Sequence, residues 1–413
     1  MEKIKELKNH DKMIKVSPLD NKPKTIEQCK ESQEYIISKE KIMQLNSPLA
    51  SDNIIYSLGK HQINCVEFAP SVFSYLRELD GVSEKEVIDS FLPSNNKQGI
   101  QESEARGGNF FISTDDKQFL LKTIPYQDAE LIRLVLLWHL AEHFTENKNS
   151  LIGRIYGLYK IEKKSSCFSS EDIYFILMKN VYGAFDEIVQ CKYDLKGSSL
   201  DRSVNIRSID TLNKKVMKDN NFREIERALL LSKTNSEKLT TNCEKDVVLL
   251  ANLGVMDYSL LVVKLTLNNS EMVALFGEDH FIKTQQEISK LLNKNIDNKE
   301  ENNEKMLMKF EEIRFDLEKI ENLRKYLFPS LIPHQAYIIA IIDFFQLYNL
   351  GKAIEQKFKG MIADIMAISS SPPDDYVVRF LENLNEICNC KKLFENDEND
   401  ENDKVFNGFV LVD

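Results

Sequence analysis

Two aspartates each stand as the lone acid in an apolar run. Asp257 lies within residues 247–265, VVLLANLGVMDYSLLVVKL, and Asp343 within residues 336–348, AYIIAIIDFFQLY. A carboxylate among so many apolar side chains is costly unless a cation, a metal or a substrate uses it. The first run reads as the buried end of a helix to about Leu253, a stop at Gly254 and a buried strand from Leu260 to Lys264, because glycine accepts the left-handed conformation that ends helices. The second reads as a strand with the acid at its end. Taken alone, Asp257 serves equally as a turn cap or as a chemical group. Two such acids at the edges of two buried strands suit phosphoryl transfer, which needs one carboxylate at the nucleophile and one on the metal.

The elements that must position these acids can be read from periodicity and punctuation. Residues 69–79 predict a helix with Pro70 in its first turn, and residues 83–91 a second short helix. Residues 106–112 and 119–123 predict two antiparallel strands joined by the polar turn 113–117. The pair Gly107–Gly108 precedes the first of them, and glycines let backbone amides approach phosphate oxygens. Residues 128–144, DAELIRLVLLWHLAEHF, form the clearest amphipathic helix, with Asp128 as its N-cap. In that helix His139 and His143 stand at i,i+4, a spacing that serves a metal but here lacks a third ligand, so a packed or solvated pair is expected. Strands are predicted over 150–161 and 172–178, a helix over 210–232, and a charged helix over 310–327 with Ile313, Leu317, Ile320 and Leu323 along one side. Residues 192–202 carry Asp194, Lys196 and Arg202 in a glycine-interrupted stretch, either a solvated salt-bridge cluster or a phosphate-handling loop.

Composition narrows the classes. The chain has 413 residues, 42% of them hydrophobic, enough for one large or two ordinary domains. A net charge of −11 argues against general polyanion or nucleic-acid binding, so attraction to acidic lipid must come from a local basic face. The seven cysteines are scattered, and Cys388 and Cys390 are too few and too close for a zinc site of ordinary spacing; reduced thiols in a cytosolic protein are expected. The charged start, MEKIKELKNHDK, does not read as a signal peptide. Residues 1–53 are expected to be mostly disordered, as is the low-complexity insert 293–305, and residues 391–413 to form an acidic, solvated tail.

Three stretches carry a family resemblance. VMDYSLL at 255–261, KYDLKGSSLDR at 192–202 and IIDFFQLYN at 341–349 resemble, in order and separation, the signatures of the phosphatidylinositol phosphate kinases. The resemblance covers roughly residues 54–384. It implies an α+β, two-lobed kinase-like fold: an N-lobe with an antiparallel sheet over about 54–178, a C-lobe over about 179–390, and ATP and magnesium (Mg2+) between them. It implies that Asp257 orients or deprotonates the attacking hydroxyl and that Asp343 holds magnesium. Lys122 would hold ATP phosphates with Glu130 as its partner, beside the Gly107–Gly108 loop. Leu177 and Met178 would wall the adenine pocket, with backbone groups up to Asn180 at its edge. Lys196 would stabilise transferred charge, and Asp194 and Arg202 would handle substrate phosphate.

The same resemblance makes 347–373 the loop that reads the lipid head group and inserts at an anionic membrane, with Lys352, Lys357 and Lys359 as its charges. The implied substrate is a phosphatidylinositol monophosphate, with the 4-phosphate and attack by the 5-hydroxyl favoured over a 5-phosphate 4-kinase. A peripheral location on the cytosolic face of a membrane follows, and a homodimer is allowed. Two departures stand out. Ala105-Arg106-Gly107-Gly108-Asn109 replaces the family's Gly-Lys-Ser-Gly-Ser wording, which leaves a catalytically weak phosphoinositide-binding scaffold as an alternative. Lys352-Ala353 replaces a lysine pair. A protein kinase ranks low, because no HRD, DFG or APE triplet stands in order.

Overall fold

The computed structural model describes residues 51–58, 61–92, 101–104, 110–162, 172–206, 215–279, 282, 312–347 and 372–389. Gly107, Gly108, Lys352, Lys357, Lys359, the insert 293–305, the tail from 390 and the segment before residue 51 lie outside the described residues.

Seven antiparallel strands make the first sheet. These are β1 (Ser51–Leu58), β2 (His61–Phe68), β3 (Gln101–Glu104), β4 (Phe110–Ser113), β5 (Phe119–Ile124), β6 (Ile155–Glu162) and β7 (Ile173–Lys179), in the spatial order β1-β2-β6-β7-β5-β4-β3. The β1–β2 hairpin starts three residues before the expected onset of the fold. Helices α1 (Pro70–Leu79) and α2 (Glu84–Phe91) form as predicted, α1 with proline in its first turn and α2 capped by the Ser83 hydroxyl, which accepts from the Glu86 N–H.

The amphipathic helix is more complex than its pattern suggested. It begins at α3 (Tyr126–Leu131) after Pro125, passes through a π-helical turn (Ile132–Leu136) and continues as α4 (Leu137–Glu146). Asp128 is therefore in the first turn and is not the N-cap. The run LIRLVLLW carries more apolar residues than one α-helical stripe holds. The extra residue of a π turn rotates the stripe so that Leu131, Ile132, Leu136, Leu137 and Leu140 are all buried.

The second sheet has five strands. These are β8 (Val189–Leu195), β9 (Val216–Lys218), β11 (Ser259–Thr266), β12 (Leu327–Pro329) and β13 (Gln335–Ile342), in the order β12-β13-β11-β8-β9. Only β8 and β9 run parallel. A two-stranded ladder joins β10 (Val255–Met256) to β14 (Gln346–Leu347). Helix α6 (Lys233–Asn252) leads into β10, and the stop falls where the sequence put it: Gly254 is left-handed at φ +73°. Strand β11 is buried along seven of its eight residues, as a strand covered on both faces must be.

Two predicted helices are corrected. In place of a helix over 210–232, β9 is followed by the short α5 (Asp219–Ile225), whose first residue, Asp219, is held by the loop after β8. Within 310–327 the described part is irregular until a 3-10 turn over Glu321–Tyr326, then β12. Tertiary contacts override the stripe there: the Arg314 guanidinium binds the buried Glu271 carboxylate of α7 (Asn269–Phe276), and Phe315 packs edge-on to Phe185. Leu317 is left exposed.

Buried charge ties the two sheets together. Asp80, at the end of α1, accepts from Arg154 Nε at 3.1 Å, Tyr156 Oη at 2.9 Å and Lys325 Nζ at 2.5 Å. Burial would raise its carboxyl, but Arg154 and Lys325 outweigh that and hold it below the usual range. His143 of α4 lies 2.6 Å from Asp246 Oδ1 of α6, and Asp246 Oδ2 accepts from the Leu151 N–H. The predicted packed role of His143 is thus an interhelix contact. Among the described residues Cys65, Cys191, Cys243 and Cys388 take part in no disulfide.

Candidate active site

Strand register brings the motif residues to one edge. Ser259 of β11 pairs with Ile342 of β13, and Leu260 pairs with Leu195 of β8. Asp257 therefore precedes the central strand at the same end where Asp343 leaves one neighbour and Lys196 leaves the other. Both aspartates are left-handed, at φ 64° and φ 57°. That conformation is uncommon for residues other than glycine, and Asp and Asn are enriched in it. It turns each carboxylate out of a strand while Tyr258 and Phe344, the next residues, are fully buried.

Each acid has a lysine. Lys196 Nζ stands 2.8 Å from Asp257 Oδ1, and Lys122 Nζ donates to Asp343 Oδ1 at 2.6 Å. The two acids differ in access: the Asp343 side chain is 45% exposed and that of Asp257 only 20%. Lys122 lies between two rings, its Nζ 5.3 Å from the centre of Phe111 and 5.7 Å from that of Phe345.

The structure corrects three expected partners. Glu130 is paired with Arg133, 2.8 Å away and three residues along the helix, and not with Lys122. Asp128 and Glu130 are two residues apart, so they point to different sides of the helix and only one can serve Lys122. Asp128 is the carboxylate that feels both Lys122 and Asp343. Burial pushes its carboxyl up, Lys122 pulls part of that back, and the Asp343 charge adds a smaller rise, leaving it at about 6. The i,i+3 arginine was the available signal that Glu130 is engaged locally.

Arg202 is buried and does not reach outward to a substrate. Its guanidinium donates to Asp219 Oδ2 at 2.6 Å and to Asp194 Oδ1 at 3.1 Å. Asp219 Oδ1 in turn accepts from the Lys196 and Gly197 N–H groups at 3.0 and 2.8 Å. Asp219 thus shapes the lysine loop; sequence reasoning missed it because only the parallel β8–β9 pairing brings it there. Asp194 shares this bracing role.

Leu177 is the third correction. Alternate residues of a strand face opposite sides. Lys122 pairs with Ile176 and Leu120 with Met178, so Met178 shares the face of Lys122. Leu177 points the other way, into a core of Val82, Phe119 and Tyr156. Asn180 is buried, and its N–H donates to the Gln118 carbonyl at 2.9 Å.

A sequence profile described as Phosphatidylinositol-4-phosphate 5-Kinase matches residues 94–387. The chain belongs to this family. The relative named "Probable phosphatidylinositol phosphate kinase" of Dictyostelium discoideum is 27% identical over 78% of this chain and 47% of its own length. A phosphatidylinositol 4-phosphate 5-kinase of Schizosaccharomyces pombe is 30% identical over 49% of this chain and 26% of its own. The human phosphatidylinositol 5-phosphate 4-kinase type-2 alpha is 30% identical over 48% of this chain and 46% of its own. The chain thus spans at most about half the length of these relatives.

Within the family match lie all four residues of the paired edge, Lys122, Lys196, Asp257 and Asp343. Replacing Lys122 by methionine keeps an unbranched apolar stem between Phe111 and Phe345 while removing the charge. Lys122→Met is expected to raise the ATP concentration for half-maximal binding by about 10-fold or more, the loss of one desolvated ion contact. Unchanged ATP binding by calorimetry would remove the β4–β5 hairpin from the nucleotide site.

Asp128 gives a pH prediction. Its folded-state carboxyl titrates near 6 against an ordinary 3.8, so the folded chain holds the extra proton between those values. Stability linked to this group is greatest at the acid end and falls as pH rises through about 4 to 6. Melting curves of Asp128→Asn across that window should show a shallower fall than wild type; identical slopes would place the titration elsewhere.

Proposed function

We propose that this chain transfers the γ-phosphate of ATP to the inositol ring of a phosphatidylinositol monophosphate, converting the 4-phosphate to the 4,5-bisphosphate. The observation that supports this best is the pair of left-handed aspartates at one sheet edge, each against its own lysine. Asp257, the more enclosed acid, would orient the attacking hydroxyl and take its proton as the oxygen bonds to the γ-phosphorus. Lys196 would donate to the phosphoryl oxygens as charge builds on them. Lys122 would hold the nucleotide phosphates, and ADP would leave on the side of Met178.

Among the described residues no group of three or more His, Cys, Asp and Glu is arranged to hold a metal. That donor set still fits magnesium, which is commonly held by one or two carboxylates together with substrate phosphates. Asp343, nearly half exposed, would supply the protein ligand, with Asp128 close behind it. Bound there, magnesium neutralises phosphate charge.

The preference for the 5-hydroxyl follows the name of the matched family, whereas one of the relatives acts, by its name, as a 5-phosphate 4-kinase. Separating the products formed from ATP and each of the three phosphatidylinositol monophosphates decides between them. Label in the 4,5-bisphosphate from the 4-phosphate supports the reading; label formed only from the 5-phosphate reverses the regiochemistry.

Among the described residues no helix is long and apolar enough to cross a membrane. Work at a membrane surface from the cytosolic side is the proposal that fits the substrate. For it Lys352, Lys357 and Lys359 remain the sequence candidates, each contributing about 1 kcal/mol near an anionic surface. Changing all three to glutamate should abolish sedimentation with anionic vesicles while activity on a short-chain soluble substrate falls far less. Equal vesicle binding by mutant and wild type would place the membrane face elsewhere. The division into lobes near residues 178–179 and a homodimer are retained as proposals.

A further inference from the structure

Helix α8 (Pro373–Cys388) packs against the residues that follow both members of the Asp257–Lys196 pair, Tyr258 and Gly197. The fully buried Tyr376 donates its hydroxyl to the carbonyl oxygen of Tyr258, the residue that follows Asp257. Its ring meets that of Tyr258 at 4.7 Å and 72°, and Phe380 meets the same ring at 5.1 Å. One turn along, α8 covers Gly197, the residue that follows Lys196. Gly197 is left-handed at φ +69°, and a Cβ there would stand 3.0 Å from Asn383 Cβ and 3.2 Å from the Arg379 carbonyl oxygen. Arg379 itself is only 4% exposed, its guanidinium 4.7 Å from the centre of the Tyr376 ring.

These contacts close a circuit: Asp257 to Tyr258, Tyr258 to Tyr376, Tyr376 to Arg379, Arg379 to Gly197, Gly197 to Lys196, and Lys196 back to Asp257. Each link is a peptide bond, one helical turn, a direct contact or, between Arg379 and Gly197, an approach close enough to crowd a side chain at 197. We propose that Tyr376 and Arg379 are positioning residues for phosphoryl transfer, α8 setting the separation and direction of Asp257 and Lys196. The inference rests on the kinase reading of that pair. Burial lowers the proton affinity of the Arg379 guanidinium, and Tyr376, Asp257 and Asp219 oppose this, so its fixed charge lies in the field of both the catalytic acid and the acid that shapes the lysine loop. A misplacement of about 1 Å at a reacting group can cost on the order of 100-fold in rate, so modest loosening of this helix should be read in turnover.

The test compares kcat, the KM for ATP and melting curves across four variants of the full chain, with phosphatidylinositol 4-phosphate vesicles as substrate. Tyr376→Phe deletes one hydroxyl and keeps the ring; it should lower kcat about 10-fold with the KM for ATP within about twofold of wild type. Arg379→Met should lose at least as much, and Arg379→Lys should recover part of it. If Arg379→Met does not fold, Tyr376→Phe and Arg379→Lys carry the comparison. Ile387→Ala, two turns beyond Arg379 on the same helix, should lower the melting temperature while kcat well below melting stays near wild type. Wild-type kcat in Tyr376→Phe beside an active parent overturns the inference, as does a kcat loss in Ile387→Ala as large as in the Tyr376 and Arg379 variants. No turnover by the wild-type chain overturns the kinase reading, and the inference with it.

Discussion

Asp343→Asn is expected to abolish lipid phosphorylation, by about 1,000-fold or more in kcat, while leaving the chain folded. The substitution changes charge and leaves conformation alone. Asparagine adopts the left-handed region at least as readily as aspartate, so φ 57° at this position is preserved. The amide occupies almost the same volume. It cannot hold a divalent cation against phosphate oxygens as a carboxylate does, and it leaves Lys122 without an anion at 2.6 Å. The cost in stability should be small, because a pair with one member 45% exposed contributes at most about 1 kcal/mol. Paired measurements of labelled-phosphate transfer and thermal melting check this. Wild-type turnover would remove Asp343 from the metal role; an unfolded variant would show that its charge is structural.

Asp257→Asn is expected to cost about 100- to 10,000-fold in kcat with nucleotide affinity nearly unchanged, as loss of a general base or orienting carboxylate does. Its neighbour Lys196 is fixed independently by the Asp219 bonds to the loop backbone, so the lysine should remain in place when its partner is neutralised. Asparagine is again the informative substitution, since alanine in a left-handed conformation adds a backbone cost of roughly 1–2 kcal/mol and confuses the reading. A fall in ATP affinity equal to the fall in kcat would assign Asp257 to the nucleotide and not to the lipid hydroxyl.

The two variants together distinguish the acids by what each touches. Geometry already separates them: Asp343 is the more open and faces the lysine that comes from the first sheet, whereas Asp257 faces the lysine of its own sheet. Both aspartates hold an uncommon backbone conformation at adjacent strand ends, a feature that recurs where side chains are aimed for function.

Much of this was legible in the chain because the relevant signals are local. A lone acid closing an apolar run, a glycine ending a helix and a β-strand of Leu and Val are each contained in a few residues, and Gly254, β11 and β13 formed where those signals placed them. What failed was orientation. Leu177 and Met178 are adjacent, so both could not line one face of β7, yet which of them does depends on pairing with β5. Glu130 and Asp128 differ by two positions on a helix whose face is shifted by a π turn. Arg202 reads as an outward cation until Asp219, seventeen residues on, folds back beside it. The helix expected over 310–327 gave way to the Arg314–Glu271 and Phe315–Phe185 contacts, which no window of local periodicity contains.

The central claim is that the Asp257–Asp343 edge performs phosphoryl transfer onto a phosphoinositide. Its most direct test is the transfer of labelled γ-phosphate from ATP to phosphatidylinositol 4-phosphate vesicles by the wild-type chain as magnesium is titrated. The expected result is label in the lipid, rising with magnesium to saturation. ATP bound at every magnesium concentration with no label in the lipid would contradict it.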